Sequence, residues 1–176
     1  MSKVFGVTGW KNSGKTTLTE RLIGELTRRG YRVASLKHAH HAFDIDREGT
    51  DSWRHRAAGA SEVAIVSSGR WALIGELRGA PEPTMEEVLA KLGPCDVVIV
   101  EGYKRESHPK IECRRSGGRK GEPLAPSDPH IVAVASDHET DTAGLPHFGL
   151  DDIPAIADFV VARLALPRSE RAEIDA

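Results

Sequence analysis

At 176 residues, with 28% charged side chains and a net charge of −2, the chain is long enough for one compact domain. It is too evenly charged for a global attraction to nucleic acid. No apolar run approaches the roughly 18 residues of a membrane span, and the opening "MSKVFGVTGWK" lacks the basic and apolar segments of a secretory leader. Cys95 and Cys113 stand far apart in no paired spacing, which argues against a disulfide framework or a cysteine-based zinc site. A cytoplasmic protein without membrane or nucleic-acid partners is expected.

"KVFGVT" (3–8) is a short apolar run ending at a glycine-rich segment, predicted as a buried strand. From Thr16 to Arg29, Leu18, Leu22, Ile23 and Leu26 form one stripe, predicting an amphipathic helix. Arg28 and Arg29 suit its negative end and Gly30 its cap. "YRVASLK" (31–37) is a second strand, and a segment rich in histidine and aspartate follows it. A shorter helix is predicted from about Asp51 to Ala58, closed by Gly59.

"EVAIVSSGRWALIGEL" (62–77) predicts an antiparallel hairpin around Ser68 and Gly69. "TMEEVLAKL" (84–92) is a helix with Thr84 and Glu87 spaced as a capping box. "CDVVIVEGY" (95–103) is the most apolar strand, "PKIECRR" (109–115) another, and 116–129 has loop composition. "HIVAVASD" (130–137) is a further buried strand and "DDIPAIADFVVARLA" (151–165) the closing helix. A charged, frayed tail is expected over 166–176.

"GWKNSGKT" (9–16) satisfies G-x-x-x-x-G-K-[ST] at every specified position, between an apolar strand and an amphipathic helix. A phosphate chain needs several backbone N–H groups turned inward, and side chains at Gly9 and Gly14 would block its approach. The helix N-terminus adds unpaired donors and a favourable dipole. Lys15 is the expected cation for the β/γ-phosphates and Thr16 an expected Mg²⁺ ligand, with Asn12, Ser13 and Thr17 completing the phosphate-binding stretch. The fold class expected is α/β, a P-loop NTPase-like, mainly parallel sheet flanked by helices, with the hairpin added to it. A single nucleotide-binding domain spans 1–165.

Such a loop needs an acidic partner at the end of a neighbouring strand. Glu101, after four consecutive apolar residues and before Gly102, is the candidate second Mg²⁺ ligand. Some related ATPases and GTPases carry a second lysine directly after the first glycine; here Trp10 holds that position and Lys11 comes one residue later. No N-K-x-D guanine signature is present. Asp137, ending "AVASD", is a candidate acceptor for the N1 and N2 groups of guanine, although an aspartate that starts a turn explains it as well.

"LKHAHHAFDIDREGTDS" (36–52) holds three of the eight histidines, His38, His40 and His41, followed by Asp44, Asp46 and Asp51. Three readings stay open. One is a mixed metal site, another a solvated loop. The third is a segment that folds over the γ-phosphate, with Asp44 and Asp51 as candidate catalytic carboxylates orienting water.

The stretches "GWKNSGKTTL", "KHAHHAFDIDREGTDSWRHRAAGA", "RWALIGEL", "DVVIVEGYK" and "PKIECRR", in that order, resemble the MobB family of molybdopterin-guanine dinucleotide biosynthesis adapter proteins, over about residues 3–160. The resemblance implies a homodimer that binds GTP with Mg²⁺, hydrolyses it weakly, and associates with the guanylyltransferase that joins GMP to molybdopterin. It places the phosphate loop on Gly9 to Thr17, the magnesium-facing strand end on Glu101, and a K-H-x-H-H stretch on Lys37 to His41. Glu48 stands where proline is common in relatives, and Cys113 replaces an aliphatic residue. The hairpin, with Trp71, Leu73 and Ile74, is either a dimer contact or core. Two other functions compete: a small-molecule kinase with "RRSGGRK" (114–120) as its lid, and a metal-delivery GTPase with His38, His40 and His41 holding the cargo.

Overall fold

The structure, a computed structural model, describes residues 3–39, 43–118 and 121–167. The chain groups into two compact units, Met1–His38 with Leu89–Ala176, and Ala39–Val88.

The larger unit is built on six strands: β1 (Lys3–Gly9), β2 (Val33–Lys37), β5 (Val97–Glu101), β6 (Lys110–Arg114), β7 (Ile131–Ser136) and β8 (His147–Gly149). They form one sheet in the order β2-β5-β1-β6-β7-β8, parallel at every pairing. β5 is buried at all five positions, as its continuous apolar run requires of a strand covered on both faces. α1 (Lys15–Arg28) and α4 (Ile153–Leu164) pack together, and both lie on β1. The buried cluster there joins Phe5 and Val7 of β1, Leu18, Leu22 and Leu26 of α1, and Ile156 and Val160 of α4. The leucine spacing of four keeps the α1 stripe on one face.

The predicted α1 shifts by one residue, from 16–29 to Lys15–Arg28, because Gly14 at φ 91° caps the start and Arg29 the end. β8 has no signature in the sequence. Three residues at a sheet edge show no readable alternation, and only Phe148 packs against the core. Asp152 caps α4 with Pro154 in its first turn, and Ala165 ends it at φ 46°. Leu166, expected to begin the frayed tail, is buried in that core; 168–176 lie outside the described residues.

On the other face of β1, Gly6 receives His108: a Cβ at Gly6 would sit 2.4 Å from the imidazole Nε2. Neither His108 ring nitrogen has a hydrogen-bond partner. Burial, with the Lys110 charge adding to it, pushes the imidazole down to about 4. The unfolded chain takes up this proton near pH 6.5 and the folded chain only near 4, so stability falls as pH drops through that window. Denaturant unfolding at about pH 7 and about pH 4.5 is expected to show an acid loss to which His108 contributes up to about 3 kcal/mol. His108→Leu should remove that part, and an unchanged acid loss would contradict it.

The second unit holds α2 (Asp51–Ala57), the hairpin β3 (Glu62–Val66) and β4 (Trp71–Gly75), and most of α3 (Met85–Leu89). The predicted capping box is present: Thr84 N donates to Glu87 Oε2 at 2.8 Å and Glu87 N to Thr84 Oγ1 at 3.2 Å. The hairpin register pairs Val63 with Ile74, Ala64 with Leu73 and Val66 with Trp71. Period-two alternation then separates the predicted contact residues. Ile74 is buried with Val63 on one face, while Leu73 and Trp71 are exposed with Val66 on the other.

Candidate phosphate-binding site

β1 ends at Gly9 and α1 begins after Gly14, so the loop 9–14 carries the chain from sheet to helix within a few residues. Gly9 has φ 142°, and a Cβ there would lie 2.5 Å from the Cys113 carbonyl oxygen and 2.6 Å from Ser13 Oγ. Asn12 and Gly14 take left-handed backbone, at φ 63° and 91°. Asparagine tolerates this conformation and glycine carries no penalty in it. No side chain caps α1, so its first-turn amides keep donors for an anion.

Within this loop Lys15 Nζ donates to the Trp10 carbonyl at 2.6 Å. Partial burial lowers the ammonium from its usual range, with the Glu101 charge among the opposing causes. Ser13 is buried and its hydroxyl has no partner. Beneath the loop, burial pushes the Cys113 thiol up to about 12. Cys113 is therefore a neutral packing group, consistent with an aliphatic residue at this position.

The two predicted metal-facing residues meet. Thr16 Oγ1 donates to Glu101 Oε1 at 3.0 Å, and Lys37 Nζ lies 3.4 Å from the same oxygen. This follows from register, because Glu101 pairs with Lys37 on one side and Val7 on the other. A hydroxyl and a carboxylate make a hard, all-oxygen set that fits Mg²⁺, which keeps several waters and takes further oxygens from a phosphate. Among the described residues no cluster of three or more His, Cys, Asp or Glu forms a cage. The role of Lys37 as the counter-charge to Glu101 has no signal in the sequence; only the parallel β2–β5 pairing reveals it.

A cleft of about 150 Å³ runs from Gly14, Thr17 and Arg21 to Arg115 and Asp137. The Asp137 carboxylate accepts from Ser116 N at 2.8 Å, Ser116 Oγ at 3.0 Å and His138 Nδ1 at 2.8 Å. The His138 and Ser116 bonds hold it down at about 2. An ionised carboxylate has about four acceptor sites, and these bonds occupy three of them. A larger cleft of about 360 Å³ lies along Trp10, Ser13, Glu112 and Arg114.

Arg114, the first residue of the basic run 114–120 and within the predicted strand 109–115, ends β6. It pairs with the buried Glu112 at 2.8 Å and donates to Thr140 at 3.0 Å and to the Asp141 carbonyl. Glu112 in turn accepts from the Leu124 and Ala125 amides, both at 2.9 Å. Arg119 and Lys120 lie outside the described residues.

In the second unit, Asp44 and Asp46 are gathered by Arg56, at 2.9 and 3.4 Å, and Glu76 joins at 2.7 Å. Asp51 lies in the first turn of α2, almost fully exposed, with Arg54 at 3.9 Å. Of the histidine cluster, His38 packs at a tilt against Tyr103, with ring centroids 4.9 Å apart and 51° between the ring planes, and its amide donates to the Glu101 carbonyl at 3.0 Å. His40 and His41 lie outside the described residues.

A parallel α/β sheet whose first strand turns through a glycine loop into an uncapped helix, beside an acidic strand end, defines a P-loop NTPase-like domain. The chain belongs to the MobB family: the family model described as molybdopterin guanine dinucleotide synthesis protein B matches residues 4–137. It is 41% identical over 162 residues to the molybdopterin-guanine dinucleotide biosynthesis adapter protein of Haemophilus influenzae, covering 89% of this chain and 86% of that one. The Escherichia coli protein of the same description is 37% identical, with 92% and 93% covered. Among solved structures, Bacillus subtilis MobB superposes with a TM-score of 0.71 at 28% identity, covering 92% of this chain and 98% of the other. A MobB homologue from Bacillus stearothermophilus gives 0.68 at 31% identity, covering 91% and 99%.

Proposed function

We propose that the chain is a GTP-binding adapter in molybdopterin-guanine dinucleotide biosynthesis, working beside the guanylyltransferase that joins GMP to molybdopterin. The observation that carries the nucleotide part is the contact of Thr16 with Glu101 at 3.0 Å, next to an uncapped helix start and Lys15. The adapter part is supported by the descriptions of the relatives at 41% and 37% identity.

In this reading the loop amides and Lys15 hold the β/γ-phosphates, and Thr16 and Glu101 hold Mg²⁺, which supplies charge neutralisation at the phosphate oxygens. Lys15 leaves the Trp10 carbonyl to do so, and Lys37 gives up its place on Glu101. Weak hydrolysis fits this reading because the phosphate loop 9–17 carries no arginine of its own to neutralise charge developing on the transferred phosphoryl group. The exposed hairpin face of Val66, Trp71 and Leu73 is the proposed seat of a second copy in a homodimer.

The test is co-purification with the guanylyltransferase, followed by dinucleotide formation from molybdopterin and GTP with and without this protein. Association and a higher yield are expected. Neither association nor any change in yield would reject the adapter role.

A further inference from the structure

The smaller cleft begins at the phosphate loop and continues past it. Gly14, Thr17 and Arg21 line it at helical spacing, so it runs along one side of α1. From Gly14 to Arg21 the helix rises about 10 Å. Arg115 after β6, Asp137 after β7, and Leu150 with Asp151 after β8 close the other side. Leu150 stands against the loop itself: a Cβ at Gly14 would lie 3.7 Å from its Cδ1. A ligand whose phosphates rest on the loop therefore extends its other end towards Arg21 and Asp151.

These two side chains are paired, Arg21 Nη1 donating to Asp151 Oδ1. The pair is open to solvent, with Arg21 45% and Asp151 90% exposed, and an ion pair so exposed contributes little to stability. Its main chain is nevertheless held. Arg21 lies within α1. Leu150 N donates to the Ser136 carbonyl at 3.1 Å, and the Asp151 carbonyl accepts from Ile153 N at 2.9 Å. The bond between the pair uses one nitrogen of a guanidinium that has five N–H donors, and one oxygen of the carboxylate. Asp137, in the same cleft, already accepts three bonds from Ser116 and His138.

Side by side, the carboxylate and the guanidinium offer a row of acceptor, acceptor and donor. A guanine edge presents the matching row: the N2 amine and N1–H donate, and O6 accepts. Adenine has no donor at C2, an acceptor at N1 and a donor at N6. It therefore meets the pair with like groups at two positions. We propose that the Arg21–Asp151 pair reads the base of the nucleotide, Asp151 accepting from N1 and N2 of guanine and Arg21 donating to O6. This rests on the nucleotide reading above, and it moves base recognition from Asp137 to the turn after β8. Discrimination comes chiefly from the mismatch, because adenine leaves both partners without a bond.

The test measures affinities for GTP, XTP and ATP, with Mg²⁺, in wild type, Asp151→Asn, Asp137→Asn and Arg21→Met. Xanthine carries a carbonyl where guanine carries its amine, so an asparagine amide that replaces the carboxylate can donate to it. Wild type is expected to prefer GTP to either of the others by about tenfold or more. Asp151→Asn should shift the XTP-to-GTP affinity ratio about tenfold or more towards XTP, and Asp137→Asn should keep the wild-type ratio. Arg21→Met should narrow the preference for GTP over ATP by about tenfold. A ratio taken within one variant is unaffected by a general loss of folded protein. A shift carried by Asp137→Asn, or wild-type ratios in Asp151→Asn or in Arg21→Met, would leave the pair a surface tie and overturn the proposal. A wild type that binds all three equally would overturn it while the phosphate site stands. A wild type that binds none of them would remove the nucleotide reading first and this inference with it.

Discussion

Lys15→Ala is expected to weaken GTP binding by about a hundredfold or more while leaving the fold intact. Without nucleotide, the substitution removes one hydrogen bond to the Trp10 carbonyl, on a half-buried side chain, so little stability depends on it. With nucleotide bound, it removes a charge-assisted bond to phosphate in a partly desolvated loop. At the upper end such bonds contribute about 3 kcal/mol, which corresponds to a factor above about one hundred. Isothermal titration with GTP and Mg²⁺ reads this directly. Wild-type affinity in Lys15→Ala would show that the loop does not hold the phosphates.

The largest effect on stability is expected at Lys110. Its ammonium is fully buried and satisfies two carbonyls and the Asp128 carboxylate at once. Burial alone would raise the Asp128 carboxyl, but the His130 amide and Lys110 bring it below the usual range. Lys110→Ala strands that carboxylate and both carbonyls, and breaking a buried pair from one side costs about 3–5 kcal/mol. For a chain of this size the Tm should fall by roughly 10 °C. Removing both partners, in Lys110→Met with Asp128→Leu, should destabilise less than Lys110→Ala alone, because no unpaired charge remains. A double variant worse than the single one would contradict this account of the cluster.

Local pattern makes the central strands and the phosphate loop readable. β5 has four apolar residues before Glu101, and the loop's two glycines sit at fixed spacing before a helix with leucines every four residues. These signals are carried by neighbours in the chain. Glu101 can be assigned from its place at a strand end, and it meets Thr16 across 85 positions. The pairs that sequence does not reveal depend on strand order or on distant loops: Lys37 with Glu101, and Lys110 with Asp128. No spacing rule connects such residues, and only the parallel register brings the strand-borne ones together. Arg114 falls within the predicted strand 109–115, but its pairing with the buried Glu112 two residues before it is not announced by the basic run "RRSGGRK".

The aspartates after the histidine cluster illustrate a different limit. Charge density in "FDIDREGTDS" suggests carboxylates free to orient water. Arg56, from the following helix, gathers Asp44 and Asp46 into an ion-pair network with Glu76. Composition does not reveal which carboxylates are paired, because the partner lies elsewhere in the chain.

Titration of the wild-type protein with GTP and with ATP, in Mg²⁺, tests the central claim most directly. The account predicts saturable binding of GTP with one site per chain, tighter than ATP and abolished when EDTA removes the metal. No saturable binding of either nucleotide would contradict it.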